Sequence, residues 1–567
     1  MLISMKSFLE KIKIVDANQI TTFILSFIFL NIALTSVLFL IGVGISNLHF
    51  LTSIIISAIV TYVINKKNTE EYSIKKVIVN WLISILIIFL SIMIANIFYD
   101  NTWDGNTYHK EMIGLMKNGM NPVYNENSGD VWVQHYARAV ETYAAVVYAF
   151  TGNIESGKSI NILLMLMLGV QVFKFLKKKN VNNIISTLIG LAVAVNPISL
   201  IQSTSYYVDG VFTNVLFFLM LELLKITDSK EIKLRSLSFF WVSMLTVICI
   251  NIKFTSLLIC TMFIGVFCIY WLYISIAQKK LGATFKKLFF FFVAVYIFAV
   301  VIVGESVYVK NFVKYGHPFY PLKGENTGVD IVSGNEPEGL AEKSHVEKFI
   351  YTLFSKTYTW YDKKPELKIP FTVYKDELYS MQFADTRIGA FGPWYSGMLL
   401  LSLPIVLFYL IKKFIKKDKN AILLLLILMA IVLPIPILPV VWQLRYYPQL
   451  YLLPIIAILL IVLDSDKMFK KIYSYLLITA TLVNTLLFVP AVFDNFKSSI
   501  RINKQLIYIY EQSLTKKVTI SIEDCPNAGA RYNLVDKHIT NYTFLMEKME
   551  DGEPMYFRFF YKIEEGE

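Results

Sequence analysis

The stretch VIVNWLISILIIFLSIMIANIFYDNTWDGNTYHKEM, residues 77–112, decides how the chain is read. Its first two-thirds form an apolar run of the length that crosses a bilayer, about 18 residues or more. Asp100 and Asp104 then follow, four residues apart, with Tyr108 and His109 behind them. A span that ends this way sets carboxylates at the boundary between lipid and water.

The same kind of run recurs along the chain. Spans are expected at roughly 20–45, 49–65, 77–99, 157–176, 183–203, 208–226, 236–252, 254–277, 287–309, 396–412, 420–441, 446–464 and 471–491. The expected fold class is an all-α polytopic membrane protein with about 13 transmembrane helices and a small α/β C-terminal external region. Composition agrees. Of 567 residues, 56% are hydrophobic and 17% charged, against about 45–50% and about 25% in soluble domains. Mean hydropathy is +0.55. The first run starts near Ile20 and passes Gly44, too long for a signal peptide, and is expected to stay.

The net charge of +12 comes largely from lysines in short loops between apolar runs. They cluster at Lys66/Lys67/Lys75/Lys76, Lys177–Lys179, Lys225/Lys230/Lys233/Arg235, Lys279/Lys280/Lys286/Lys287, Lys412/Lys413/Lys416/Lys417/Lys419 and Lys467/Lys470/Lys471. With the N-terminus (Lys6, Lys11, Lys13) in the cytoplasm, the spans above place each cluster there, as the positive-inside rule requires. No nucleic-acid partner is implied. The chain reads as a multi-pass plasma-membrane protein whose active face is external.

Residues 137–152, ARAVETYAAVVYAFTG, would reverse every later loop if they crossed. The segment is short for a span, and Val140, Ala144, Val147 and Tyr148 share one helical face with Arg138 and Glu141 off it. It is expected to lie on the membrane surface. The domain organisation is then a transmembrane domain, 1–491, with external loops at about 100–156 and 310–395, and a small external domain, 492–567. In the latter, KKVTISIED and MYFRFFYKIEEGE alternate as strands do. The four cysteines include no C-x-x-C pair, so neither a disulfide framework nor a zinc site is expected.

The candidate catalytic residues are Asp104, Asp100 and Asp209. The Asp-Gly turn at 104–105 suits an N-cap. It equally suits a general base, if the stripe Met112, Leu115, Met116, Gly119 rests on the membrane and pins the turn there. Asp209, in YYVDGVF, repeats the geometry at the next outward turn. Lys253, in NIKFTSLL, lies between two apolar runs, where a charge costs about 2.5–3.5 kcal/mol unless it snorkels or finds a partner. It is either an interface anchor or a ligand for a lipid phosphate. Arg445, in WQLRYYPQLYLLP, and Arg387, in DTRIGAFGPWYSG, join it as candidate phosphate cations. Tyr108 and His109 are expected to hydrogen-bond substrate. A divalent metal is an open but disfavoured alternative, since His109 and His135 lack His-x-x-x-His spacing, and no other cofactor is expected.

These features resemble the GT-C superfamily of integral-membrane glycosyltransferases, most of all the protein O-mannosyltransferase and lipid A aminoarabinose transferase branch. DGNTYH resembles that branch's D-E-x-x-Y acidic pair, with Gly105 in the second acid's place. NIKFTSLL resembles its Lys-Gly/Lys-Thr turn. VKNFVKYGHPFYPL, 309–322, resembles its N-x-x-x-x-G-N-P-x-Y-P sequence. The resemblance spans roughly 80–490, and three spans precede the acidic loop here where the branch usually has one. It implies an inverting transfer of a sugar from a polyprenyl-phosphate donor to an acceptor hydroxyl of a protein, lipid or polysaccharide. A transporter or flippase, a surface-polysaccharide polymerase and a non-catalytic scaffold are the alternatives. Transport would need charges or broken helices at mid-membrane. Pro434, Pro436 and Pro439 break one span, but no acid lies deep in any run.

Overall fold

The computed structural model describes residues 15–68, 73–125, 129–228, 232–324, 333–359, 364–464, 468–523 and 529–563. Lys6, Lys11, Lys13, Lys230, Lys467 and Cys525 lie outside the described residues. The chain divides into two compact units: Met1–Leu163 with Ile302–Ser306 and Phe496–Glu567, and Leu164–Val301 with Val307–Asn495.

The first unit opens with three long apolar helices, Ala17–Leu40, Asn47–Asn68 and Ile74–Ile97. Asp16 and Ser73 cap the first and third by accepting from Asn18 N and Lys76 N. The second helix shows what surrounds it. Leu51, Ile55, Ile59 and Val63, four residues apart, point outward, whereas Ser53, Ser57 and Thr61 are buried. Ser57 Oγ and Thr61 Oγ1 bond back to the carbonyls of Ser53 and Ser57 at 2.6 and 2.8 Å. A helix in water would reverse that arrangement; in hydrocarbon, small polar residues go to helix contacts and large apolar ones face outward.

The loop after the third helix packs against the C-terminal segment. A four-stranded sheet, β1 (Val518–Ile522), β2 (Tyr542–Leu545), β3 (Glu553–Pro554) and β4 (Phe559–Ile563), has the order β2-β1-β4-β3. β1 pairs parallel to β2 and antiparallel to β4, with Ile520 opposite Phe544 and Tyr561. Leu506 and Ile509 of the helix Val489–Ser513 complete its core with Val518, Ile520 and Phe559. Both strands expected from alternation are present. The expected boundary at 491/492 falls inside the long helix Val489–Ser513.

The segment 137–152 forms the helix Ala139–Thr151, too short to cross. It is not laid on lipid: both Arg138 and Glu141, expected off its apolar face, are buried. The helix Lys110–Lys117 is likewise covered by protein. A Cβ on Gly114 would come within 2.0 Å of the Tyr532 ring, so the C-terminal segment occupies the face expected to meet the membrane.

In the second unit, ion pairs fix which spans return. Lys179 and Asp228 meet at 2.8 Å, although Asn183–Ala194 with Pro197–Gln202 and then Asp209–Thr227 lie between them. Lys253 pairs with Asp209 across Asp209–Thr227 and Leu237–Ile250. Lys412 pairs with Asp464 across Asn420–Ile437 and Pro448–Asp464. Two groups in contact sit at one membrane face, so an even number of crossings separates each pair. Among the described residues, ten helices are long and apolar enough to cross, and three shorter apolar helices bring the candidates to the expected 13.

Candidate functional site

In the first unit, Asp100 follows the helix Ile74–Ile97 and is fully buried. Its Oδ1 accepts from Thr102 N at 2.8 Å and Thr102 Oγ1 at 2.7 Å. A Cβ on residue 105 would lie 2.0 Å from Asp100 Oδ2. Gly105 thus stands where the resemblance has an acid because the Asp100 carboxylate fills that space. Asp104 is half-buried and makes no cap; its Oδ2 accepts from Tyr108 OH at 3.2 Å, one turn on. His109 is buried, with Nδ1 2.5 Å from Glu141 Oε1 and its ring 4.3 Å from that of Tyr108. Burial pulls the imidazole pKa down, but the Glu141 carboxylate, and then Asp104 and Asp100, raise it above its ordinary value.

Beside these residues lies a polar lattice that the sequence reading did not single out. Glu155 pairs with Lys110 at 2.7 Å and with Lys158. Lys110 Nζ also donates to Asp100 O at 3.2 Å, Asn106 Oδ1 at 3.0 Å and Asn533 Oδ1 at 2.9 Å. Asn533 Nδ2 donates to Glu155 Oε1 at 2.9 Å. Asp536 accepts from Tyr148 OH and Ile154 N, each at 2.6 Å, and burial pushes its pKa up to about 7. The one signal in the sequence was the i, i+3 spacing of Glu155 and Lys158; nothing local announces a partner from residues 533–536.

The second unit joins five charges in a row: Lys253, Asp209, Arg445, Asp385 and Arg387. Lys253 Nζ donates to Asp209 Oδ1. Arg445 Nη1 lies 3.3 Å from Asp209 Oδ2, and Arg445 Nη2 lies 2.6 Å from Asp385 Oδ1. Arg387 grips Asp385 Oδ2 through Nε at 3.0 Å and Nη2 at 2.7 Å. Gln202 Nε2 donates to Asp209 Oδ2 at 3.2 Å while its Oε1 accepts from Gly210 N at 2.7 Å. Tyr446 lies under the Lys253 ammonium, 3.8 Å from Nζ to ring centroid, and Tyr207 lies under Arg445 at 4.8 Å. The sequence reading named four of these five residues; Asp385 it missed.

Three cations meet two carboxylates, so the row carries one surplus positive charge. Lys253 and Arg445 are only 3% and 4% exposed. Arg445 Nε and Nη1 have no hydrogen-bond acceptor despite that burial; Nη1 sits near Asp209 without the alignment a hydrogen bond needs. A buried guanidinium with open donors suits an incoming anion with several oxygens.

Leu237–Ile250 has 14 residues, about 21 Å of helix against a hydrocarbon core of about 30 Å. Lys253 follows this short helix, and Arg445 precedes the short apolar helix Pro448–Asp464. Among the described residues, no three of His, Cys, Asp and Glu converge as metal ligands.

No protein-family model matches the chain, and no curated protein matches it. Among solved structures, the crystal structure of ArnT from Cupriavidus metallidurans bound to undecaprenyl phosphate aligns over 83% of this chain and 86% of that one. The sequence identity is 10% and the TM-score 0.41. A likeness this loose assigns neither an activity nor a residue.

Proposed function

We propose that the protein is a GT-C-type membrane glycosyltransferase that takes its sugar from a polyprenyl-phosphate donor. The observation that carries the reading is Arg445: buried in the protein, tied to two carboxylates, and holding unsatisfied donors. In this reading Arg445 and Lys253 hold the donor phosphate and stabilise its charge as the sugar leaves, a preorganised electrostatic contribution. Asp209 and Asp385 keep both cations charged and aimed. Arg387 acts through Asp385. Asp104 takes the proton of the acceptor hydroxyl. The hydroxyl oxygen bonds to the anomeric carbon from the side opposite the phosphate, the carbon–oxygen bond to phosphate breaks, and free polyprenyl phosphate departs with the configuration inverted. Asp104 is the group for this because it is part-exposed, whereas Asp100 and Asp209 are buried. Tyr108 and His109 orient Asp104. The acceptor meets the protein at the external face.

Removing both cations at once would strand Asp209, since breaking a buried pair costs about 3–5 kcal/mol. Arg445→Lys keeps the charge but loses the fork. Asp209→Asn with Lys253→Gln removes the pair together. Both variants should bind a short-chain polyprenyl-phosphate analogue about ten- to a hundredfold more weakly by calorimetry, the worth of a charge-assisted contact of about 1.5–3 kcal/mol. Unchanged affinity in both would make the row a structural tie and leave transport or polymer assembly ahead.

A further inference from the structure

The outward-facing helices of this protein reverse the alternation of a water-soluble chain, and one extended segment outside the spans does the same. In LKIPFTV, residues 367–373, Leu367, Ile369, Phe371 and Val373 point outward, with Ile369 70% exposed. The Lys368 side chain, 2% exposed, points inward. It donates to Glu377 Oε1 at 2.5 Å and to the Thr372 carbonyl at 3.2 Å. Glu377 in turn accepts from Thr357 N at 2.8 Å and Tyr374 N at 2.9 Å. In water this is the unfavourable orientation twice over, with an ion pair desolvated and four large apolar side chains left hydrated. If the outside is hydrocarbon the preference reverses: the apolar side chains belong outside, and the ion pair is better held inside the protein than turned into lipid.

The preceding helix, His345–Leu353, makes the same presentation. Phe349 and Leu353 are buried, while Val346 and Ile350, one turn apart, are exposed. The helix leads directly into the apolar segment, since Lys368 N donates to Phe354 O at 3.1 Å and Lys356 N to Glu366 O at 2.8 Å.

Two attachments set the height of this surface. His345 Nε2 bonds to the Ile435 carbonyl at 2.7 Å, at the end of the span Asn420–Ile437. Phe371 seats its ring on Gly397, in the first turn of the span Tyr395–Ile415, where a Cβ would come within 2.4 Å of it. Phe371 holds φ +68 there, a left-handed conformation that an aromatic residue adopts only when its surroundings impose it. The exposed apolar residues are thus continuous with the lipid-facing Leu400 and Leu403 of that span. They lie at the face that carries Arg445.

We infer that residues 345–353 and 367–373 are immersed in the adjacent lipid leaflet, and that the bilayer is the solvent of this apolar rim. The inference stands whatever reaction the protein performs. The unmodified protein in nanodiscs containing a diazirine-bearing phosphatidylcholine tests it. After irradiation, peptides covering 344–355 and 364–380 should carry lipid adducts at yields comparable to peptides from 400–411. A fluorophore at Ile369→Cys or Val346→Cys, with the four native cysteines replaced, should be quenched by shallow spin-labelled lipid and not by iodide. One at Glu338→Cys should show the opposite. Adducts confined to the spans, with iodide quenching at 346 and 369, would overturn the inference. So would shielding from both quenchers that appears only with two copies per disc, which would make the occupant a second chain.

Discussion

Asp100, Asp104 and Asp209 look alike in sequence, each beside a glycine or a short polar turn, yet their surroundings give them different tasks. Asp100 is buried, accepts from Thr102, and packs where residue 105 has no side chain. Asp209 is a counter-ion for Lys253 and Arg445. Asp104 accepts from the Tyr108 phenol and makes no cap. Gly105→Ala should therefore displace the Asp100 carboxylate, with an overpacking cost of about 1–3 kcal/mol. Differential scanning calorimetry should show the lowered Tm, and Asp100→Ala in the same chain should recover part of it. Asp104→Asn should leave Tm nearly unchanged, since no cap is lost. These distinctions could not be read from the sequence, because what separates the three acids is contacts made across the fold. Asp385 was missed for the same reason: beside Arg387 it reads as a local loop pair, and only the approach of Arg445 gives it a second partner.

Helices and strands obeyed two different rules here, and only one was legible in advance. Long apolar runs and the alternation of VTISI announced spans and strands because the signal is local. The helix Ala139–Thr151 was legible as a non-crossing segment from its length, but its burial was not, since Tyr148 is covered by residues almost 400 positions away. That docking should respond to pH. The Asp536 carboxyl titrates at about 7 in the folded protein and near 3.9 when unfolded. The folded state thus binds the extra proton between about pH 4 and 7, so this group's contribution is full below pH 4 and is lost as pH rises through 7. Protection of residues 529–536 relative to the intrinsic exchange rate at each pH should be greater at pH 5 than at pH 8, and Asp536→Asn should flatten that difference. An equal pH dependence in the variant would assign it to other groups. Gly114→Ala should loosen the same contact at every pH by pushing on Tyr532, seen as faster exchange of the same residues.

At the largest scale, the ion pairs of the second unit are compatible with the threading expected from charge. The lysine-rich loops order the spans by charge, and the ion pairs order them by contact. A cysteine introduced at Ser344 should react with a membrane-impermeant maleimide from the side opposite to one at Lys417, and Val535→Cys from the same side as Ser344. Labelling of Ser344 and Lys417 from one side would break the threading and with it the proposed site. The central claim is that this protein cleaves a sugar from a polyprenyl phosphate, and release of that phosphate tests it most directly. A sugar-loaded isoprenoid lipid extracted from the source membranes and identified by mass spectrometry is added to wild type and Asp104→Asn in the same bilayer with membrane extract as acceptor source. Free polyprenyl phosphate is then followed over time. Wild type should release it, while Asp104→Asn should bind the donor equally and release about 10²–10⁴-fold more slowly. A donor recovered intact from wild type, or released equally by both proteins, would contradict the account.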